Sequence, residues 1–86
     1  MAELSRFFGI VIAMFYREHG RAHIHAYYSG KVAVIAVHDG ELLSGRIPRP
    51  ELRLVREWIL LHRDELLVAW SRARAGRSIG KIRPLR

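Results

Sequence analysis

Apolar residues run almost unbroken from Phe7 to Tyr16. The part from Gly9 to Tyr16 (GIVIAMFY) is rich in β-branched and aromatic residues and too short for a typical helix. It predicts a strand buried on both faces. Residues 1–6 read as a short lead-in. Arg17 to Ala22 is polar and carries Gly20, so it reads as a turn. His23 to Tyr28 (HIHAYY) is a second predicted strand. Ser29-Gly30 suits a two-residue hairpin connection to a third, Lys31 to Val37. His38-Asp39-Gly40 reads as another turn, with Glu41 to Ser44 as a short fourth strand.

Past Gly45 the period changes. Pro50 fits the first turn of a helix, where its missing N–H costs nothing. Leu52, Val55, Ile59 and His62 then form an apolar stripe at helical spacing, flanked by Leu54, Trp58 and Leu61. Leu66, Leu67, Trp70 and Ala73 form a second. The stripe shifts near His62-Arg63-Asp64, and Asp64 and Glu65 suit a helix start. Two helices, 51–62 and 64–75, are favoured over one long one, with Gly76 as a C-cap. The expected fold is α+β: a small antiparallel sheet of three to four strands, followed by two C-terminal helices packed on one face. One domain spans 1–86, mainly β over 1–45, helical over 46–76 and a basic tail over 77–86, where Ile79, Ile82 and Leu85 could dock on the body.

The chain has 86 residues and no cysteine. So short a chain has a marginal core, and no disulfide or thiolate metal site can support it. An efficient core or a homodimer would supply the missing stability. Phe7 to Tyr16 is well short of the roughly 20 residues that a spanning helix needs, and lacks the basic lead and cleavage site of a signal peptide. The expectation is a cytoplasmic protein with no membrane contact.

Charge is uneven. Residues 1–45 carry four basic and four acidic side chains, whereas residues 46–86 carry eleven basic and four acidic and supply the whole net charge of +7. Arg53, Arg56, Arg72, Arg74, Arg77 and Lys81 belong to this second half, off the apolar stripes. They suit a polyanion, nucleic acid above all, although a solvated surface has the same look.

The densest chemistry lies in Glu18 to Tyr28 (EHGRAHIHAYY), with three of the five histidines. On a strand His23 and His25 point to one face, about 7 Å apart at their Cα atoms, while Ile24 points to the other. Such a pair can act as acid and base on a phosphodiester, because imidazole titrates near neutrality. It can bind a phosphate or partner by hydrogen bonds. It can also bind a metal if His19, Glu18 or Asp39 adds a third ligand. Tyr27 shares the histidine face and can stack on a base. Arg17 and Arg21 are nearby and can clamp a phosphate. His23, His25, Arg17, Tyr27 and Arg21 are therefore the candidate catalytic set, with no cofactor expected and His19, His23 and His25 as a weaker metal alternative. No phosphate-binding loop, dinucleotide fingerprint, HExxH or serine elbow is present, which disfavours an ATPase, a dehydrogenase and a zincin.

The chain resembles the bacterial domain of unknown function 4160 family. The matching residues are Ser5 to Met14 (SRFFGIVIAM), Glu18-His19, His23-Ile24-His25-Ala26 and Tyr28, then Gly45 and Pro48. The match continues through Trp58, His62-Arg63-Asp64-Glu65-Leu66, Trp70 and Gly76 to Ile82-Arg83-Pro84-Leu85. Arg21-Ala22 stands where the family usually has Pro-Pro. The resemblance implies a compact α+β domain, one half of a two-gene toxin–antitoxin pair, with a small antitoxin-like protein as partner. It also draws weight to His19, His23 and His25. Taken together, these features lead to an expectation of a toxin–antitoxin protein that acts on or binds nucleic acid, RNA more than DNA, either as a metal-independent ribonuclease or as a translation-blocking binder. The alternatives are a non-enzymatic nucleic-acid- or protein-binding module, and a histidine-site metal-binding protein.

Overall fold

A computed structural model describes all 86 residues. Five antiparallel strands come first: β1 (Ala2–Phe7), β2 (Ile10–Met14), β3 (His23–Tyr28), β4 (Lys31–Ala36) and β5 (Leu42–Gly45). Two helices follow, α1 (Arg49–Leu61) and α2 (Arg63–Arg74). The strands lie in the sheet in chain order. Each connection is therefore local, which suits a chain too short for long crossovers.

The sheet has five strands, not the three or four expected. The extra one is β1, in residues read as a lead-in. Two features hid it. A register shift between Glu3 and Ser5 breaks the period-2 alternation, so that Leu4 and Ser5 are both buried. The turn into β2 is Phe8-Gly9, with φ of 50° and 78°. Both central residues of such a turn need positive φ, and phenylalanine is an unusual choice for it. Ser29-Gly30 makes the same turn between β3 and β4, with φ of 50° and 78°, at residues whose chemistry announced it.

Alternation along the central strands sorts the side chains. Ile10, Ile12 and Met14 of β2, Ile24 and Ala26 of β3, and Ala33 and Ile35 of β4 are all fully buried. They join Val55, Trp58 and Ile59 of α1 and Leu66, Ala69, Trp70 and Ala73 of α2 in one core cluster. Leu61 and Leu67, read as partners of the apolar stripes, are instead 64% and 42% exposed.

The helices part at His62, whose φ of −121° and ψ of 23° interrupt the helical backbone. The His62 ring bonds the Glu65 carboxylate at 2.7 Å, three residues into α2. The other end of α2 closes on Gly76 (φ 72°), with the Gly76 N–H donating to the Ala73 carbonyl and the Arg77 N–H to that of Arg72. This is the paired C-cap that glycine favours.

The last ten residues are fastened to the body. Ile79 and Ile82 are buried. The Ile82 N–H donates to the Leu4 carbonyl at 2.8 Å, and the Trp58 indole N–H donates to the Arg83 carbonyl at 2.9 Å. The C-terminal segment thus links β1 to α1. No helix is long and apolar enough to cross a membrane.

Candidate functional site

Register fixes the site. His25 stands between Ala13 of β2 and Val34 of β4, and Tyr27 between Val11 and Val32. The chain alternates, so Ile24 enters the core while His23 and His25 turn to the opposite face. Their ring centroids are 5.6 Å apart. Both rings are half-buried. His23 packs on Trp70, with centroids 4.8 Å apart. His25 lies 4.3 Å from the Phe15 ring and stacks with Tyr27 at 6.4 Å. Aromatic neighbours thus hold each imidazole in place.

The two rings differ in their partners. His23 Nδ1 is 2.7 Å from the Arg21 carbonyl oxygen, and its Nε2 is 3.3 Å from Glu18 Oε1. A carbonyl can only accept, so Nδ1 carries a proton and donates. His25 has a buried Nδ1 with no hydrogen-bond partner. Burial is the main force holding its pKa below the ordinary 6.5; the neighbouring His23 charge adds to this and the Glu18 carboxylate opposes it. One ring is thus anchored between a carbonyl and a carboxylate, and the other is biased toward its neutral form.

Glu18 is the third member of the centre. One ligand atom from each of Glu18, His23 and His25 falls within 4.8 Å of the others. His19, named for the weaker metal set, is exposed and outside this group. Asp39 is also elsewhere, bound to Arg21. Glu18 belongs to the turn between β2 and β3, and parity along β3 gives no hint of it. The only signal in the sequence is a carboxylate five residues before the first histidine of the pair.

The guanidiniums of the predicted set have other neighbours than the imidazoles. Arg21 Nη1 donates to Glu41 at 2.8 Å, and Nη2 to both Asp39 oxygens at 3.1 and 3.2 Å. Glu41 raises the guanidinium pKa, and the Glu41 backbone N–H together with Arg21 lowers that of Asp39. Arg21 thereby braces the β2–β3 turn against the β4–β5 turn. Arg17 (φ 59°) donates its backbone N–H to the Ala73 carbonyl at 3.0 Å, and its guanidinium lies over Gly76. A cation there complements the C-terminal end of α2.

Of the remaining basic candidates, Arg53, Arg56, Arg72 and Lys81 line two separate grooves. Arg53 and Arg56 share one with Arg49, at i, i+4 and i+7 along α1; it holds about 360 Å³ and Leu52 completes its lining. Arg56 is braced there by a 2.8 Å bond from its Nε to the Gly40 carbonyl. Arg72 and Lys81 line the other, of about 240 Å³, with Glu65 and Val68 among their neighbours. Arg74 and Arg77 are exposed. Arg49 was missed as a binding candidate because it sits ahead of Pro50, where the helix was not expected to have begun.

A five-stranded meander with two following helices, and an imidazole–carboxylate centre on β3 beside Trp70 of α2, defines a small α+β domain with a half-buried polar site. The family model described as "Domain of unknown function (DUF4160)" matches residues 9–71, and the chain belongs to that family. No curated protein and no solved structure matches the chain. The matched stretch contains the whole Glu18–His23–His25 centre and the Arg49–Arg53–Arg56 groove, and ends before Arg72.

Proposed function

We propose that the protein acts on RNA as one component of a toxin–antitoxin pair, with Glu18, His23 and His25 as its reactive centre. The observation that supports this most is the pairing of two half-buried imidazoles in unlike surroundings, with ring centroids 5.6 Å apart. Two titratable groups whose environments differ in this way suit complementary acid and base roles. In this reading neutral His25 takes the proton of the 2′-hydroxyl. The oxygen attacks the adjacent phosphorus, and His23, protonated beside Glu18, gives its proton to the leaving 5′ oxygen. A 2′,3′-cyclic phosphate and a free 5′-hydroxyl result, with atoms and charge balanced. Tyr27, stacked on His25, offers a ring for a base.

Backbone affinity in this reading comes from Arg49, Arg53 and Arg56, and from Arg72, Arg74, Arg77 and Lys81. Arg17 and Arg21 would have to leave their present partners to reach a phosphate. The small antitoxin-like partner would cover the centre or a basic groove.

The test is incubation of purified protein with single-stranded RNA in EDTA. Cleavage with cyclic-phosphate ends is expected, abolished by His23→Ala and by His25→Ala while RNA binding persists. Cleavage unchanged in both variants would sink the site assignment. Salt-dependent binding with no cleavage would leave a non-enzymatic binding module in its place.

A further inference from the structure

We propose that Glu18, His23 and His25 bind one divalent transition metal ion of the zinc class. His23 Nδ1 donates to the Arg21 carbonyl, so in the neutral ring Nε2 carries only a lone pair. That lone pair faces Glu18 Oε1, also an acceptor, at 3.3 Å. Two acceptors do not attract each other; the arrangement calls for a positive charge between them, either a proton or a metal ion.

Three features favour the metal. First, zinc binds imidazole nitrogen and carboxylate oxygen at about 2.0–2.1 Å, which makes the edge of a tetrahedral site about 3.3 Å. The His23–Glu18 separation equals that edge. Second, a ring nitrogen that donates to a backbone carbonyl is how ligating histidines are usually oriented, with the opposite nitrogen aimed at the metal. Third, the centre holds a further imidazole whose buried Nδ1 lacks any partner. The widest separation in the trio is within 4.8 Å. Shrinking it to a tetrahedral edge needs a movement of at most about 1.5 Å, within reach of a side-chain rotation.

Charge does not oppose the ion. The nearest arginines in the chain, Arg17 and Arg21, are held at Gly76 and at Asp39 and Glu41. The set is two nitrogens and one oxygen. Such a set suits zinc and disfavours magnesium, which prefers oxygen ligands.

This inference shares its side chains with the RNA reading, and rests on that reading only in one consequence: an ion that takes both lone pairs would block acid–base cleavage, so zinc would inhibit. Binding itself is measured without RNA. Tag-free protein, stripped with EDTA and dialysed, is titrated calorimetrically with zinc chloride at pH 7.5. One site with micromolar or tighter affinity is expected, weakened at least tenfold by Glu18→Gln and by His25→Ala, and unchanged by His19→Ala. Magnesium chloride should give no binding. Glu18→Gln lies in a turn and keeps the fold, which circular dichroism checks. Absence of zinc binding would overturn the proposal. So would binding that survives Glu18→Gln and His25→Ala, or is lost with His19→Ala. A protein that binds zinc at this site but never cleaves RNA would overturn the ribonuclease reading alone.

Discussion

Replacing Ile24 by alanine probes the strand parity that puts His23 and His25 on one face. Ile24 is fully buried in β3, between the two histidines, and belongs to the core cluster. Removing a buried isoleucine to alanine costs about 2–5 kcal/mol, the upper part of the range applying where neighbours cannot collapse into the hole. Ile24 pairs with Ile35 on β4 and lies in a sheet strand flanked on both sides, so about 4 kcal/mol is expected. At about 2.1 cal/mol/K per residue, unfolding entropy over 86 residues is about 0.18 kcal/mol/K. The melting temperature should therefore fall by about 20 °C. Total stability of a small domain is about 5–15 kcal/mol, toward the low end here, so Ile24→Val, at about 1 kcal/mol, is measured beside it. His25→Ala is the contrast. Its Nδ1 has no partner to lose, and its packing on Phe15 accounts for about 1 kcal/mol. Urea unfolding with matched m-values provides the comparison. If His25→Ala costs more than about 3 kcal/mol and Ile24→Ala less than about 1, the strand faces the other way and the site dissolves.

Other consequences follow from individual contacts. His25 has a pKa held below 6.5 mainly by burial. The unfolded chain therefore binds more protons than the folded one below that pH, and stability must drop as pH falls from about 6.5. Thermal melts in EDTA should show that loss, and His25→Gln should reduce it; an unchanged profile would contradict the burial of the ring. Arg21→Ala should lower the melting temperature at low salt, with the difference fading near 1 M salt, and should leave the salt slope of RNA affinity unaltered; a clamp role predicts the reverse. Changing Arg49, Arg53 and Arg56 to glutamine should flatten the log–log salt dependence of single-stranded RNA binding by about 0.7 per phosphate contact, about 2 in all. A slope that does not change would remove that groove from the RNA surface.

Much of the fold could be read from the chain because its signals are local. Ser29-Gly30 announced one hairpin, and the shift of the apolar stripe at His62 announced the break between α1 and α2. The β1 strand escaped because a bulge at Glu3 to Ser5 spoils alternation and because Phe8 occupies a left-handed turn position that its residue type does not suggest. Strand parity was enough to aim His23 and His25 together. It left Glu18 as one of three possible third ligands beside His19 and Asp39, because the choice depends on how the turn folds back on β3, and it could not show that Arg21 spends its guanidinium on Asp39 and Glu41. Those pairs join residues 18 and 20 positions apart, and neither side chain's type nor its spacing announces them. The C-terminal segment was legible in part: Ile79 and Ile82, expected to dock on the body, are buried, whereas the bond from the Ile82 N–H to the Leu4 carbonyl that ties the segment to β1 has no signal in the sequence.

The most direct measurement of the centre is proton–nitrogen NMR of the imidazoles in metal-free protein, taken through a pH titration in wild type and in Glu18→Gln. The account predicts a proton on His23 Nδ1 at all pH values studied, a titration midpoint for His25 below 6.5, and movement of both ring signals when Glu18 is neutralised. Two independent histidines with ordinary midpoints, both indifferent to Glu18→Gln, would contradict it.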